Sequence, residues 1–433
     1  MNRRGFVAAA AAASAVNAAN AKLALLGGQP VRKANPPSWP RLHAEDEKAW
    51  MEVLRGGHWY RGSGKTVDEF EKRFAAAIGS PYCLATANGT SALYISLSAI
   101  DIGPGDEVLV PPYTFIATVN AVLMRHALPV FVDSDLETMQ MNAAKVESRI
   151  TERTRAIMPV HLGGSPANLD VILEIARFRR LPVIEDACQA VFGEWRGRRL
   201  GSLGTTGCFS FQASKNLNCG EGGAVMTADA SLADRAFSFH NNSRGRRNAP
   251  GDFSYRATGT NLRMTEFQAA LLMSQMLRLQ EQAKLRDENA SYLTSMLREI
   301  PGIRPARMYD GCTRNGWHIY MLRYDREAFA GVSRAVFLRA LAAEGVRASP
   351  GYRPLNKEPF LREAFQSRGW RAIYPEKLLA EWDERNRCPV NDRLCEEAVW
   401  FGQTTLLGSR QDMEQIAGAV RKIQSQAADL RSL

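Results

Sequence analysis

From about residue 65 onward, the hydrophobic positions form short apolar runs, and longer stretches with helical spacing lie between them. The short runs predict strands at residues 82–87, 106–110, 129–132, 155–160, 182–185, 207–211 and 223–227. Most intervals between them predict helices, for instance at residues 91–100, 115–126 and 168–180. This alternation predicts an α/β fold around a large, mostly parallel sheet. Ligands of such sheets collect at the carboxyl ends of the strands.

The pattern changes after residue 264, where one long helix is predicted to begin at Thr265. Thr265 and Gln268 have the spacing of a capping box. Beyond about residue 290 the pattern predicts a smaller α+β region, with a strand near 318–324 and helices near 333–344, 359–367 and 411–427. The Pro, Gly and Trp content of residues 22–60 predicts an irregular arm. We therefore divide the chain into an arm (22–64), a large domain (65–285) and a small C-terminal domain (286–433).

Composition narrows the functional classes. The 433 residues are 45% hydrophobic and 23% charged, as in a soluble globular protein, and no apolar run is long enough to span a bilayer. The net charge of +10 is spread along the chain, apart from the clusters at residues 196–199 and 244–247. No aromatic-interleaved basic stripe accompanies them, so we expect no nucleic-acid partner. Seven cysteines form no CxxC pair and no metal-binding spacing, so neither a disulfide scaffold nor a metal site is predicted.

The first 21 residues resemble an export signal. Arg3 and Arg4 precede an alanine-rich stretch, and Ala-Asn-Ala at 19–21 offers a cleavage site. We therefore predict a twin-arginine signal peptide at residues 1–21 and export to the periplasm. The alternatives are a disordered start or a mis-chosen start codon, and in either case a cytoplasmic protein.

Two of the predicted strands end at groups that could bind an anion or a cation. After the first strand, Asn88 or Gly89 can cap a helix whose first-turn amides, at Thr90 and Ser91, would favour a phosphate. The strand at 182–185 continues into Asp186, which places carboxylates at the same sheet edge. Each motif alone is equally typical of an ordinary helix cap.

The strand at 207–211 carries Ser210, and Lys215 follows it before the glycine-rich turn at 220–223. A lysine at a sheet edge can be desolvated, which lowers its pKa and leaves a neutral amine able to form a Schiff base. Aromatic residues at Tyr113 and Phe115 follow another strand, and one of them could lie flat against a planar ring. A phosphate cradle, an aromatic face, a carboxylate and a lysine are together what pyridoxal 5′-phosphate requires.

These motifs stand in the order ANGTSAL, GDEVLVPPYTFIAT, PVHLGG, PVIEDACQA, GCFSFQASKNL, GEGGAVMT and TNLRMTEFQAALL. In that order the chain closely resembles the DegT/StrS sugar aminotransferases, from about residue 25 to the C-terminus. FSFQASKNLNCGEGG and the C-terminal CPVNDRLCEEAVWFGQTTLLG most resemble a scyllo-inosose aminotransferase-like subgroup. The resemblance implies a fold-type I, aspartate aminotransferase-like architecture.

The resemblance also implies roles for individual residues. Lys215 matches the lysine that holds the cofactor as an aldimine, and Asp186 matches the acid that pairs with its pyridine nitrogen. Gln189 matches the glutamine beside the cofactor's 3-oxygen, and Phe115 the ring-stacking aromatic. The phosphate-binding positions fall on Thr90, Ser91, Ser210 and Asn261. Asn261 would reach the cofactor of a neighbouring subunit, which implies a homodimer.

Three further residues are candidates for the substrate side, namely His161, His318 and Tyr352. Each could equally be an ordinary structural residue. The chain departs from the family pattern in two ways. Family members are normally cytoplasmic, unlike a protein with a twin-arginine leader. The segment SPGYRPLN also lacks the histidine that often precedes the tyrosine at this point.

The predicted function is a ping-pong aminotransferase. Glutamate or glutamine would donate an amino group to the keto group of a sugar, nucleotide-sugar or cyclitol. Two alternatives remain, a sugar dehydratase that uses the same cofactor, and an exported binding module that retains the fold. The known dehydratase variation replaces the lysine by histidine, whereas Lys215 is present here. A complete set of lysine, acid, glutamine and serine argues against a binding module.

Overall fold

The computed structural model describes residues 22–34, 37–246, 254–255 and 258–433. Its strands are β1 (Tyr82–Thr86), β2 (Glu107–Val110), β3 (Leu128–Phe131), β4 (Thr154–Ile157), β5 (Ile184–Asp186), β6 (Glu194–Trp195), β7 (Arg198–Arg199), β8 (Thr206–Ser210), β9 (Gly223–Thr227), β10 (Ile303–Pro305), β11 (Cys312–Arg314), β12 (Ile319–Tyr324) and β13 (Ala398–Gly402). The predicted signal peptide lies outside the described residues and stays a prediction.

The α-helices are α1 (Ala44–Gly56), α2 (Thr66–Ile78), α3 (Gly89–Ala99), α4 (Ala117–Met124), α5 (Leu169–Arg179), α6 (Ala230–His240), α7 (Glu266–Leu297), α8 (Arg334–Ala343), α9 (Pro359–Gln366), α10 (Arg368–Ile373), α11 (Glu376–Ala380), α12 (Trp382–Arg385), α13 (Pro389–Glu397) and α14 (Arg410–Ser425). Short 3₁₀ turns join several of them. No helix in the described part of the chain is long and apolar enough to cross a membrane.

The seven strands predicted before residue 230 build one sheet in the order β3-β2-β4-β5-β8-β9-β1. Ladders connect β3-β2-β4 and β5-β8-β9-β1, and parallel bridges from Ile157 to Val183 and from Val160 to Asp186 join the two halves. All neighbours pair in parallel except β9, which runs antiparallel to both β8 and β1. The prediction of a large, mostly parallel sheet is therefore confirmed. The carboxyl ends of β1, β2, β4, β5 and β8 meet at one edge.

A second, smaller sheet, in the order β10-β12-β13, is antiparallel and carries its own hydrophobic core. That core includes Leu297 of α7, Phe337 of α8 and Val420 of α14. It also includes Leu23 from the N-terminal arm, and the Glu344 carboxylate accepts hydrogen bonds from the backbone N–H groups of Ala24 and Val31. The first part of the arm is thus docked on the small domain.

Two elements differ from the sequence-based division. The arm is not irregular throughout, because α1 forms within it, begun by a capping box between His43 and Asp46. The Pro- and Trp-rich segment before it obscured this helical stretch. In addition, Leu355, Trp370 and Trp382 pack against the core of the large sheet. Residues 355–388 therefore cover the large domain, although they belong to the segment assigned to the small one.

The long helix α7 begins where the sequence predicts, and it connects the two cores. Thr265 accepts a hydrogen bond from the backbone of Gln268, and the Gln268 side chain accepts one from the N–H of Thr265 at 2.7 Å. Buried residues near its start pack on the large domain, while Leu293 and Leu297 belong to the small core. This helix fixes the small domain beside the edge at which the strands end.

Candidate active site

A cavity of about 610 Å³ opens at the carboxyl edge of the large sheet. Eight of the eleven predicted site residues line it, namely Thr90, Phe115, Asp186, Gln189, Ser210, Lys215, His318 and Tyr352. They come from four segments of the large domain and two of the small one. The cavity therefore lies where the two domains meet.

The N-terminus of α3 points into this cavity. The Asn88 side chain caps the helix by accepting a hydrogen bond from the N–H of Ser91 at 2.8 Å. Since that amide is used by the cap, the first-turn amides of Gly89 and Thr90 remain beside the cavity. A Cβ on Gly89 would lie 2.7 Å from Cβ of Ser210, so glycine permits the close approach of helix and strand. Ser91 itself is buried and does not line the cavity.

Asp186 ends β5 and is buried at the cavity wall. One carboxylate oxygen accepts a hydrogen bond from the Thr118 hydroxyl at 2.8 Å, and the other accepts one from the N–H of Cys188 at 3.2 Å. The Thr114 and Thr118 hydroxyl oxygens lie 2.9 Å apart, so a chain of hydroxyls supports the carboxylate. The sequence analysis missed both threonines, although they lie within the motif PPYTFIAT.

Lys215 follows β8 and extends its amine into the cavity. Burial lowers the pKa of this amine, although Cys188 and Asp186 oppose the shift. The Nζ atom lies 3.4 Å from Nε2 of His318. The pKa of His318 lies well below its usual value, because the ring is buried and faces the positive charges of Lys215 and Arg286. The imidazole is therefore neutral at physiological pH.

At the cavity, a hydrogen bond between Gln189 and Tyr352 links the two domains. The Gln189 carbonyl oxygen accepts a hydrogen bond from the N–H of Gly163 at 2.8 Å, and its amide donates to the Tyr352 hydroxyl at 3.0 Å. Burial raises the pKa of Tyr352 to about 12, so the hydroxyl keeps its proton. Phe115 is 55% exposed and presents its ring at the opening, whereas Tyr113 is buried in the core and does not line the cavity.

His161 does not line the cavity. Its ring is fully buried, with Nε2 2.9 Å from the Glu185 carboxylate and Nδ1 accepting a hydrogen bond from the N–H of Ala167. Glu185 also accepts hydrogen bonds from the backbone of Gly201, Leu203 and Gly204. Although burial works to raise the pKa of Glu185, the hydrogen bond from His161 and those from the loop amides lower it overall. The pair stabilises the loop after β7 and is a structural feature.

Asn261 is exposed and also lies outside the cavity lining of its own chain. Its backbone pairs with Asn241, and its side chain accepts a hydrogen bond from the N–H of Arg263 at 3.4 Å. In this position Asn261 does not share the cavity with Lys215 of the same subunit. A contribution to a cofactor site would have to come across an interface between two chains.

The donor set around the cavity fits pyridoxal phosphate. The helix start at Gly89 and Thr90, next to the hydroxyl of Ser210, offers N–H and O–H donors to a phosphate. Asp186 is a buried carboxylate with both oxygens held, as a partner for a protonated ring nitrogen requires. The amine of Lys215, whose pKa is lowered, is suited to bond an aldehyde carbon.

The chain was compared with known proteins. Residues 40–421 match the DegT/DnrJ/EryC1/StrS aminotransferase family. An L-glutamine:2-deoxy-scyllo-inosose aminotransferase from Streptomyces lividus is 36% identical over 421 residues, which are 94% of this chain and 99% of that protein. The spore coat polysaccharide biosynthesis protein SpsC of Bacillus subtilis is 37% identical over 346 residues, which are 77% and 88% of the two chains.

A solved structure also supports the match to this aminotransferase family. The crystal structure of 3-amino-5-hydroxybenzoic acid synthase superposes with a TM-score of 0.81 at 31% identity, and the match covers 92% of this chain and 100% of that one. Fold-type I architecture is therefore confirmed, and neither the dehydratase nor the binding-module alternative is favoured. The chain belongs to the DegT/DnrJ/EryC1/StrS aminotransferase family and is a pyridoxal phosphate-dependent aminotransferase.

Proposed function

We propose that this enzyme transfers the amino group of glutamine to the keto group of a cyclitol related to scyllo-inosose. The observation that carries the proposal is the arrangement of Lys215, Asp186 and Gln189 around one cavity, at the place where the two domains meet. The choice of donor and acceptor rests on the S. lividus relative, whose name states both. Keto-sugars, free or nucleotide-linked, are the second class of acceptor, and the relationship to SpsC, a polysaccharide biosynthesis protein, supports a sugar.

Bound pyridoxal phosphate would supply an electrophilic carbonyl and a ring that withdraws electrons from the reacting carbon. The residues of this chain would hold and protonate it. Thr90 and Ser210 would bind the phosphate at the start of α3. Asp186, held by Thr118 and the N–H of Cys188, would keep the ring nitrogen protonated.

Lys215 would act as the proton carrier of the reaction. Its lowered pKa means that a larger fraction of the amine is neutral at physiological pH than for an exposed lysine. A neutral amine can remove a proton from the Cα atom of the amino donor in the first half-reaction. In the second half-reaction the same group would deliver a proton to the acceptor carbon that receives the amino group. The neutral ring of His318, 3.4 Å from the amine, adds no charge that would oppose this transfer.

We further propose that the active unit is a homodimer in which Asn261 reaches the phosphate site of the partner. The exposed position of Asn261 supports such an interface, as do the exposed rings of Trp59 and Tyr60, because Tyr60 pairs with Thr265, four residues after Asn261. Mixing inactive Lys215→Ala and Asn261→Ala proteins tests it. Heterodimers would contain one intact site, so activity should return on mixing and not in either protein alone. Failure to recover activity after confirmed subunit exchange contradicts a shared site.

The donor and acceptor are tested by separate half-reactions. The holoenzyme is mixed with glutamine, glutamate or alanine, and the loss of the aldehyde form of the cofactor is followed by absorbance. The amine form is then mixed with scyllo-inosose, its deoxy derivative or a nucleotide-linked keto-sugar, and the product is identified by mass. We expect glutamine and an inosose to react fastest. Conversion only by nucleotide-linked sugars would overturn the cyclitol assignment.

A further inference from the structure

A second cavity of about 580 Å³ adjoins the cofactor cavity. Gln212, Ser214 and His318 line both, so the two spaces lie on either side of shared side chains. Most of the rest of its wall comes from the N-terminal arm, through Trp39 and Pro40, and from the segment around β13, including Trp400, Gln403 and Thr404. Of the residues in this wall, the sequence analysis predicted His318 alone as a site residue.

Its wall contains an unusual set of unpaired donors. The indole N–H groups of Trp39 and Trp400 and the Nε2 amide of Gln403 are buried and have no hydrogen-bond partner among the described residues. Trp400 and Gln403 are only 7% and 3% exposed. An indole nitrogen can only donate, and a buried donor without an acceptor destabilises the protein by roughly 1–3 kcal/mol. Three such groups around one space indicate a ligand that supplies acceptors.

Arg286 of α7 determines how Gln403 is oriented. Its guanidinium donates to the Gln403 carbonyl oxygen from Nε at 3.0 Å and from Nη2 at 2.5 Å. The amide nitrogen is therefore the part of Gln403 left without a partner. The Arg286 guanidinium also lies 5.4 Å from the centroid of the Trp39 ring, directly behind another member of the wall.

Arg286 is a buried cation that the described part of the chain leaves without an ion pair. It is fully buried, its Nη1 has no partner, and its bonded acceptor is the neutral amide of Gln403. Burial and the nearby charge of Arg41 lower the pKa of Arg286 to about 9, so it remains mostly protonated at neutral pH. Uncompensated positive charge beside a set of N–H donors favours an anion over a neutral ligand.

Among anions, a carboxylate matches this wall best. The hydroxyl groups of a cyclitol both donate and accept, so they require acceptors as well as donors. The unpaired side-chain groups at Trp39, Trp400 and Gln403 are donors. The fourth unpaired atom of the wall, Nδ1 of His318, is a donor as well when Nε2 of that ring accepts from the amine of Lys215. A carboxylate is acceptor-only and carries the charge that Arg286 lacks.

We propose that this second cavity binds the carboxylate of the amino-acid donor, with Gln403, Trp39 and Trp400 as its hydrogen-bond donors and Arg286 as a positioning residue behind them. The assignment rests on the proposed aminotransferase function and adds the donor subsite to it. The N-terminal arm thereby contributes to the choice of substrate, since it supplies Trp39.

Gln403→Glu tests the subsite, because a glutamate keeps an acceptor for Arg286 but replaces the amide donor with a negative charge. Gln411→Glu is the matched control, since Gln411 is exposed on α14 and the change in net charge is the same. Trp39→Phe removes one N–H and keeps an aromatic ring, which provides a second variant. Binding of glutarate to each holoenzyme is measured by calorimetry, and both half-reactions are measured against substrate concentration.

We expect Gln403→Glu to weaken glutarate binding and to raise the half-saturating donor concentration at least about tenfold, with Trp39→Phe showing a smaller loss. The half-saturating acceptor concentration should rise at least about fivefold less than the half-saturating donor concentration. An equal loss for glutamine and glutamate identifies the α-carboxylate, and a loss for glutamate alone identifies its side chain. Both results support a carboxylate subsite.

Three results overturn the proposal: unchanged donor affinity in Gln403→Glu, an equal loss in Gln411→Glu, or a loss confined to the acceptor half-reaction. The last would assign the cavity to the acceptor. If the wild-type enzyme converts no amino acid at all, the proposed function fails. Glutarate binding, lost in Gln403→Glu and retained in Gln411→Glu, still decides the carboxylate subsite in that case.

Discussion

The Nζ atom of Lys215 and the Nε2 atom of His318 lie 3.4 Å apart, one on the large domain and the other at the start of β12 in the small domain. Both groups have lowered pKa values, and burial is the main cause for each. The amine therefore has a neutral ring at hydrogen-bond distance. Burial of Lys215 lowers the pH at which its amine becomes neutral and able to react.

We predict that His318→Asp raises the pKa of Lys215, because a carboxylate at this distance favours the charged amine, typically by about one unit or more. Capture of pyridoxal phosphate by the cofactor-free protein requires the neutral amine. The pH midpoint of the capture rate, followed by visible absorbance, should therefore move upward. His318→Asn adds no charge and is the control. An unchanged midpoint in His318→Asp would show that the ring does not adjoin the reactive amine.

Asp186→Asn should lower kcat by roughly a hundredfold or more, since an amide cannot keep the ring nitrogen protonated by charge. Thr118→Val removes only the hydroxyl that donates to Asp186 at 2.8 Å. It should therefore raise the activation free energy of the same step by about 1 kcal/mol. Steady-state kinetics at saturating cofactor measure both. A loss of kcat in Thr118→Val as large as that in Asp186→Asn would contradict the assignment of Asp186 as the direct partner of the ring nitrogen and of Thr118 as its support.

Gly223→Ala should weaken cofactor binding at least about tenfold. A Cβ at Gly223 would press on the carbonyl of Asn88 and on the amide of Gly89, which displaces the start of α3. Gly103→Ala is the matched control, because a Cβ there meets nothing within 4 Å. Cofactor titration of both variants gives the comparison. Equal affinities would contradict a phosphate site at this helix terminus.

His240 should make the folded state sensitive to acid. Burial, Arg61 and other arginines lower its pKa to about 3, against about 6.5 in the unfolded chain. The neutral form is thus stabilised by folding, so this contribution is complete above about pH 6.5 and is lost as the pH falls toward 3. The slope is at most about 1.4 kcal/mol per pH unit. Denaturant unfolding of wild type and His240→Gln between these pH values measures it, and equal slopes would contradict the assignment.

The large sheet could be predicted because each of its strands is a short apolar run beside a helix with clear periodicity. The cluster of Thr90, Asp186, Ser210 and Lys215 followed from the same reasoning, since each of these residues lies at the end of a strand or within five residues after it. In each case the signal is local in the sequence.

The features of the site that the sequence did not predict depend on contacts between distant segments of the chain. His161 and Glu185 have the residue types of a catalytic pair, and only their complete burial against the loop at 201–204 shows a structural role. Trp39, Arg286 and Gln403 come from three segments without a shared motif. Their association arises from the packing of the arm and α7 on the small domain, which periodicity does not encode.

The most direct test of the central claim is to locate the covalent bond between chain and cofactor. The purified enzyme is loaded with pyridoxal phosphate, reduced with borohydride and digested, and the modified peptide is identified by mass spectrometry. We predict a single modified residue, Lys215, and no modification at another lysine in the Lys215→Ala protein. Attachment at a different lysine, or no attachment in the wild-type enzyme, would contradict the account.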